Sequence, residues 1–566
     1  MKRWQVHLPD PEAREALASS LGIHLVTAQL LLNRKVSSAV EARTFLDPDL
    51  SQSHDPFLLK DMERAVERLR KAFRERERVL VWGDYDVDGV TATAVLTRTL
   101  STLGFRTLQH IPHRMKEGYG LNRTALAAAR RSGVKVVISA DCGITAHEAV
   151  DYLQESGMDL ILTDHHRPQG TLPKAHAILN PLQERCGYPF KSLSGVGLAF
   201  KLTQGLVHAS FPERHTLLEE VLDLVAIGTI ADIVPIVGEN RILVCQGLRS
   251  LTKTRNQGLK ALLLMGRLRK SVLSPTDIML AINPRINVSG RLGSASTALR
   301  LLLTEDSEEA GRLARALESG NRSRRVLEAQ MIREALAKLS RDVNFKEHRA
   351  IILHDDAWHP GIVGIIASRI MHQFYRPTVV IGFANGIGRG SARSIEGFHL
   401  FDALSRCQGY LDEFGGHRLA CGFTLRKENL IPFSESLHRI AREELSSEDL
   451  IPVVEIDMEL SLDRLHPDLL KELKRLEPFG TGNLRPVFLS RDVEIQQTGF
   501  SRGVPTLVLR HQEGRTVQAN CPAGLREAVS QLPGGRADCV YRVSLKEKKE
   551  TSFLELTLLD IAPSRR

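Results

Sequence analysis

Apolar and polar positions fall into distinct textures along the chain. Residues 12–75 are charged, with apolar side chains at helical spacing in Val40–Leu46 and Asp61–Arg74, which predicts a helical N-terminal pack. From residue 79 the texture changes. Val79–Trp82, Val134–Ser139, Met158–Leu162 and Ala177–Leu179 are short apolar runs, the last closed by Asn180-Pro181. Helix-like stretches such as Thr91–Thr99 separate them. Continuous apolar runs suit strands covered on both faces, and their alternation with helices predicts βαβ units and a parallel sheet.

Further on, residues 305–340 form a charged helical stretch with Ile332, Leu336 and Leu339 on one face, the texture of a connector between lobes. Ala350–Leu353 and Thr378–Ile381 restart an α/β pattern that runs to about residue 445. Beyond it, Val487–Leu489, Val493–Gln496, Thr506–Leu509 and Phe553–Leu558 read as short strands of a small β-domain, a barrel by their spacing. Lys546–Glu550 reads as a solvated, charged hairpin. These changes divide the chain at residues 1–55, 56–300, 301–345, 346–448 and 449–566.

At 566 residues the chain has room for about four domains. A hydrophobic share of 42% with 25% charged residues excludes bulk disorder and a fibrous repeat. Lysines and arginines outnumber acids by 76 to 67, and the resulting +9 permits a polyanionic partner without requiring one. The seven cysteines are scattered with no CxxC pair, which disfavours a disulfide framework or thiolate zinc site and fits a reducing compartment. Met1-Lys2-Arg3-Trp4 opens no apolar signal segment, and no apolar run reaches ~18 residues, so a cytoplasmic protein without a membrane partner is expected.

Candidate chemistry begins directly after the first apolar run, in Gly83-Asp84-Tyr85-Asp86-Val87-Asp88-Gly89. Alternate residues of an extended turn can point the same way, so three carboxylates converge and repel, and a divalent cation is the simplest remedy. An EF-hand is excluded because Val95 stands where its twelfth-position Glu belongs. The second run ends in Asp141 and the third in Asp164-His165-His166. Sites in open parallel sheets form at the carboxyl ends of the strands, which brings these distant residues to one crevice. Asp232 closes an apolar helical stretch, and Asp223 is read as a solvent-facing or capping acid. Carboxylates with imidazole suit Mn²⁺ or Mg²⁺, and this many ligands suit two ions ~3.5–4 Å apart, the recurrent arrangement for phosphoryl chemistry. His165 or His166 could stand behind the ligands or donate a proton instead.

These motifs, in this order, resemble the DHH phosphoesterase superfamily. Ile111–Asn122, Ser289-Gly290-Arg291, Trp358–Gly364, Gly390–Ser394 and Gly415-Gly416-His417 resemble one branch of it, single-strand-specific DNA exonucleases that degrade from the 5′ end in repair and recombination. The resemblance implies an α/β fold: a DHH lobe with a parallel sheet, a long connector helix, a DHHA1 lobe and a C-terminal OB-like barrel that binds nucleic acid. It implies metal ligation by Asp86, Asp88, Asp141, His165 and Asp232, with Asp84 a ligand or a neighbour of the ligands. Asp164 is expected to orient the histidines, and His166 to contact the scissile phosphate. Cys421 stands where the family's glycine-rich His motif usually has alanine, a small-for-small change.

The same resemblance makes Ser391, Arg393 and Arg291 candidates for holding a 5′-terminal phosphate. Gly388–Arg393 reads as a flexible basic loop whose backbone amides and guanidinium groups suit an anion. Arg114 and His113 are candidates for the strand backbone, and His417 for a further substrate contact. Aromatic residues are only 5%, which leaves Tyr85 and Tyr119 as stacking candidates and gives sequence-neutral phosphate contacts the larger share of binding. No Gly-Lys dipeptide exists, so a Walker A loop is absent and hydrolysis needs no ATP. Duplex unwinding would fall to a partner. The resemblance implies a RecQ-type helicase and single-strand-binding protein. Two rivals are a phosphodiesterase for very short or cyclic oligonucleotides, opposed by chain length, and a non-catalytic single-strand scaffold, opposed by the intact acidic set.

Overall fold

In the computed structural model, residues 2–564 are described apart from 114–116, 119, 169, 502–503, 512–513, 515, 533–534 and 549–550. The chain forms two compact units, Gln5–Glu318 with Glu455–Arg566, and Met1–Trp4 with Ser319–Val454.

The larger unit carries a five-stranded parallel sheet. Its strands are β1 (Arg78–Gly83), β2 (Arg106–His110), β3 (Val134–Ala140), β4 (Asp159–Thr163) and β5 (Ala177–Leu179), in the order β2-β1-β3-β4-β5. Side chains alternate across a strand, so Val79 and Val81 enter one apolar core while Leu80 and Trp82 enter the other. Four strands coincide with the apolar runs. The edge strand β2 does not, because Arg106-Thr107-Leu108-Gln109-His110 is half exposed and carries no apolar run. Helix α1 (Val87–Thr102) packs on α2 (Gly195–Ser210) and on the buried, largely apolar α3 (Leu222–Ala231). Asp223 does not face solvent as expected. It is buried, accepting from the Leu224 N–H at 2.7 Å and the Thr254 hydroxyl at 2.5 Å.

Helix α4 (Ser307–Asp342) is 36 residues long, about 54 Å at the helical rise. Met331, Ala335 and Leu339 form its buried stripe, with Ile332 and Leu336 half-buried beside them. The smaller unit has a mixed sheet of β6 (Ile351–Asp355), β7 (Thr378–Ala384), β8 (Ile387–Arg393), β9 (Glu413–His417) and β10 (Ala420–Arg426), ordered β9-β10-β8-β7-β6. Helix α5 (Val363–Phe374) packs against β7 and β8. The expected flexible loop at Gly388–Arg393 is therefore an interior strand. Its backbone is paired with β7 on one side and β10 on the other, so its amides serve the sheet. Glycine misled here because β8 uses it for closeness: a Cβ on Gly390 would lie 2.1 Å from the Phe423 ring.

The larger unit ends in a closed barrel. Strands β12 (Val487–Ser501), β13 (Val504–Arg510), β14 (Thr516–Asn520), β16 (Thr551–Pro563) and β15 (Arg536–Lys548) pair in that order, and β15 returns to β12; β11 (Met458–Glu459) adds at its edge. Lys548 pairs with Thr551, and residues 549–550 between them, part of the expected charged hairpin, lie outside the described residues. The N-terminal helices share the barrel's core: Leu17, Leu30, Leu31 and Phe45 pack with Leu469, Phe488, Leu507 and Tyr541. Arg241 joins the three regions. Its guanidinium, buried over the Phe45 ring at 4.0 Å, donates to the carbonyls of Phe45, Arg475, Leu476, Glu477 and Pro478 at 2.8–3.4 Å. Burial lowers its pKa to about 10, so it stays charged at neutral pH. All seven cysteines are free thiols. Among the described residues, no single helix is long and apolar enough to cross a membrane.

Candidate metal centre

The acidic residues meet at the carboxyl ends of β1, β3 and β4, where the α/β rule places them. Asp84 follows β1. Asp86 caps α1, its side chain accepting from the Gly89 N–H at 3.0 Å. Asp88, in the first turn of α1, is 1% exposed and accepts from the N–H groups of Gly195 and Val196 at 2.6 and 2.8 Å, at the start of α2. Asp141 ends β3 in the left-handed backbone region at φ 64°, and its N–H bonds the Thr163 carbonyl of β4 at 2.9 Å. Asp232 follows the last turn of α3. Close approach depends on Gly195, where a Cβ would sit 2.5 Å from the Asp141 carboxylate.

His165 stands at the centre. Its Nε2 lies 3.2 Å from Asp141 Oδ1, 3.5 Å from Asp232 Oδ2 and 4.0 Å from Asp88 Oδ2. Three overlapping ligand sets, each within 4.8 Å, arise: Asp84 with Asp86 and Asp141; Asp141 with His165 and His166; Asp88 with His165 and Asp232. Burial, then neighbouring carboxylates, push the pKa values of Asp88 and Asp141 well above the usual range. Burial also raises that of Asp232, against the opposing pull of His165. His165 is pulled down by burial, but Asp232, Asp88 and Asp164 outweigh this and raise it. Asp141 Oδ1, His165 Nε2 and Asp232 Oδ2 are buried and make no hydrogen bond. Buried polar atoms are normally satisfied, and hard carboxylates around an imidazole are a donor set that fits Mn²⁺ or Mg²⁺.

Asp164 faces the other way. Its Oδ2 accepts from the Ile144 N–H at 2.9 Å, while Oδ1 meets the His166 N–H at 3.1 Å and His166 Nδ1 at 2.7 Å. Burial pushes Asp164 up, yet these hydrogen bonds and the His166 charge together hold it below its ordinary value. His166 is raised in turn, Asp164 outweighing burial. Asn180, which sequence reading treated only as a strand terminator, is buried and donates to the His166 carbonyl at 2.8 Å.

The remaining sequence candidates separate. Arg393 Nη1 donates to Ser391 Oγ at 3.0 Å and to the Ala392 carbonyl at 2.8 Å. A Cβ on Gly364, in the first turn of α5, would meet Ser391 Oγ at 2.9 Å and Arg393 Nη2 at 3.3 Å, so both side chains sit at that helix N-terminus. His417 ends the edge strand β9 and is exposed; the Cys421 thiol donates to its carbonyl at 3.2 Å. Arg291 lies in the helix Asn283–Leu292, which leans on the acidic turn: a Cβ on Gly290 would be 2.6 Å from the Tyr85 carbonyl oxygen. Tyr85 itself is half-buried against the core. His113 accepts at its carbonyl from Glu117 N–H at 2.8 Å. Arg114 and Tyr119 lie outside the described residues.

Comparison with known proteins places this geometry. Residues 78–229 match the DHH family, N-terminal domain; 347–443 match the DHHA1 domain; 456–560 match the RecJ OB domain. The single-stranded-DNA-specific exonuclease RecJ of Bacillus subtilis is 36% identical over 568 residues, 99% of this chain and 71% of that protein. The chain belongs to the RecJ family. The Escherichia coli member is 37% identical, covering 76% of this chain and 78% of its own length. The crystal structure of RecJ from Thermus thermophilus in complex with Mn²⁺ superposes with a TM-score of 0.84 at 30% identity, covering all of this chain and 80% of that one. A Mg²⁺ complex of the same RecJ is similar, with a TM-score of 0.78. The metal in those RecJ structures agrees with the donor set found here.

Proposed function

We propose that this chain is a metal-dependent exonuclease that hydrolyses single-stranded DNA from the 5′ end, in DNA repair and recombination. The observation that carries the reading is the convergence of Asp141, His165 and Asp232 with buried ligand atoms left without hydrogen bonds, in a chain that belongs to a family of such enzymes. Asp86, Asp88, Asp141, His165 and Asp232 hold two Mn²⁺ or Mg²⁺ ions, with Asp84 beside them. Bound there, the ions supply an activated water and neutralise charge on the phosphoryl oxygens. Asp164 fixes the His166 ring through Nδ1, which leaves Nε2 facing the scissile phosphate to hold or deliver a proton.

Polarity comes from capture of the strand's end. Ser391 and Arg393 at the N-terminus of α5 combine a hydroxyl, a guanidinium and a positive helix end, which suits a terminal phosphate. Arg291, Arg114 and His417 grip further backbone phosphates or sugars. The barrel tracks the strand with little base preference, so binding weakens as salt rises. Single-strand-binding protein and a RecQ-type helicase are the proposed partners, and the cytoplasm the proposed compartment.

A digest of 5′- and 3′-end-labelled single strands, with and without Mn²⁺, tests the reading. Label released from the 5′ end first, only with metal, is expected. Release from the 3′ end, or cleavage that survives chelation, overturns it. A dinucleotide hydrolysed in preference to a 40-mer would favour a short-oligonucleotide phosphodiesterase.

A further inference from the structure

Ile233 directly follows Asp232 and combines two unfavourable features. Its backbone lies at φ 63°, in the left-handed region, and its side chain is 60% exposed. Ten described residues other than glycine have positive φ, and Ile233 is the only β-branched one among them. The local geometry explains the backbone. Helix α3 ends with the Asp232 N–H bonded to the Gly228 carbonyl at 2.9 Å, and the chain must reverse so that the Ile236 N–H can reach the Thr481 carbonyl at 2.7 Å. A left-handed residue just past a helix end makes that reversal, and glycine makes it without steric cost.

Nothing in that turn calls for isoleucine. A branched Cβ is the worst choice for the conformation, and an exposed side chain recovers little of the cost through burial. Strain of this kind concentrates at functional sites. The residue before it carries a carboxylate oxygen 3.5 Å from His165 Nε2, so the Ile233 backbone directly adjoins the acidic cluster and its side chain is exposed beside it in the chain.

We propose that Ile233 is a substrate-contacting residue, whose side chain packs against the apolar face of the deoxyribose or base of the nucleotide beside the scissile phosphate. The proposal rests on the functional reading above. The contact needs no hydrogen bond to a base edge, which accords with sequence-neutral cleavage. It orders the nucleotide relative to the metal ligands by covering apolar surface on both partners.

Two variants test it, Ile233→Gly and Ile233→Asn, since both residues tolerate the left-handed region. Both are expected to keep the wild-type melting temperature or raise it. Both should lose about tenfold in kcat/KM on a 5′-phosphorylated oligothymidylate in saturating Mn²⁺, mostly through KM, as removal of one buried aliphatic contact predicts. A purely structural Ile233 would leave that KM unmoved. If the wild-type chain cuts single strands and both variants match its kcat/KM within about twofold, the proposal is overturned while the functional reading stands. If the wild-type chain cuts no single strand, the functional reading fails and takes the proposal with it.

Discussion

Replacing Asp164 by asparagine isolates the role of one carboxylate with almost no change of shape. Asp164 receives three N–H groups, from Ile144, the His166 backbone and His166 Nδ1, at 2.7–3.1 Å. A carboxylate accepts at both oxygens, whereas an amide has one acceptor and one donor. In Asp164→Asn the NH₂ must therefore face either the Ile144 N–H, a donor against a donor, or the His166 ring. In the second case Nδ1 has to surrender its proton, and the tautomer reverses at the nitrogen that faces the substrate. Losing one charge-assisted hydrogen bond is worth ~1.5–3 kcal/mol, which corresponds to about 10- to 150-fold in rate if His166 acts in the chemical step. The measurement is kcat and KM on a 5′-phosphorylated single strand in saturating Mn²⁺, alongside the melting temperature. We expect kcat to fall by that factor with KM nearly unchanged. The double variant Asp164→Asn/His166→Ala should be no slower than His166→Ala alone, because the two residues act as one unit. A folded Asp164→Asn protein with kcat within about twofold of wild type would refute the orienting role.

Four further outcomes follow from the same geometry. Asp141→Ala should abolish hydrolysis while leaving much of the strand affinity, measured by anisotropy; normal turnover would remove Asp141 from the metal centre. Arg393→Ala should lower the preference for a 5′-phosphate over a 5′-hydroxyl end by about tenfold, the worth of one charge-assisted contact, and an unchanged preference would exclude it from the end pocket. Arg241→Leu leaves five backbone carbonyls without their shared donor and should cost about 3–5 kcal/mol in urea unfolding; a loss under about 1 kcal/mol would refute the clamp. His438, stacked on His348 at 4.4 Å, has its pKa lowered to about 4 by burial, then by His348 and Arg442. A depressed pKa means that the unfolded chain binds more protons, so this stability is present above roughly pH 6.5 and is lost as pH falls toward about 4. His438→Gln should flatten the urea midpoint over that window, and an unchanged pH dependence would contradict it.

The acidic cluster could be read before the fold because its carboxylates end apolar runs. A buried parallel strand needs an unbroken apolar run, so β1, β3, β4 and β5 announce themselves, and Asp84, Asp141 and Asp164 mark the carboxyl ends of the first three. The edge strand β2 offered no such sign, since one side of it meets solvent and Arg106-Thr107-Leu108-Gln109-His110 alternates poorly. Strand β8 was hidden by its glycines, which serve close packing, Gly388 on Phe383 and Gly390 on Phe423, rather than freedom of movement.

Local pattern says which face of an element is buried, and nothing about what buries it. The residues of the N-terminal helices fix their own amphipathic faces, yet only the tertiary structure decides that Leu30 and Phe45 pack with Phe488 and Tyr541, far along the chain. The same holds for Arg241, an ordinary arginine in the sequence, whose meaning depends on five carbonyls gathered from two distant segments. The sequence alone determined which acids and histidines close the strands, because residue type and strand ends are local properties. Tertiary structure decided the partners, because burial against a distant surface is a property of pairs.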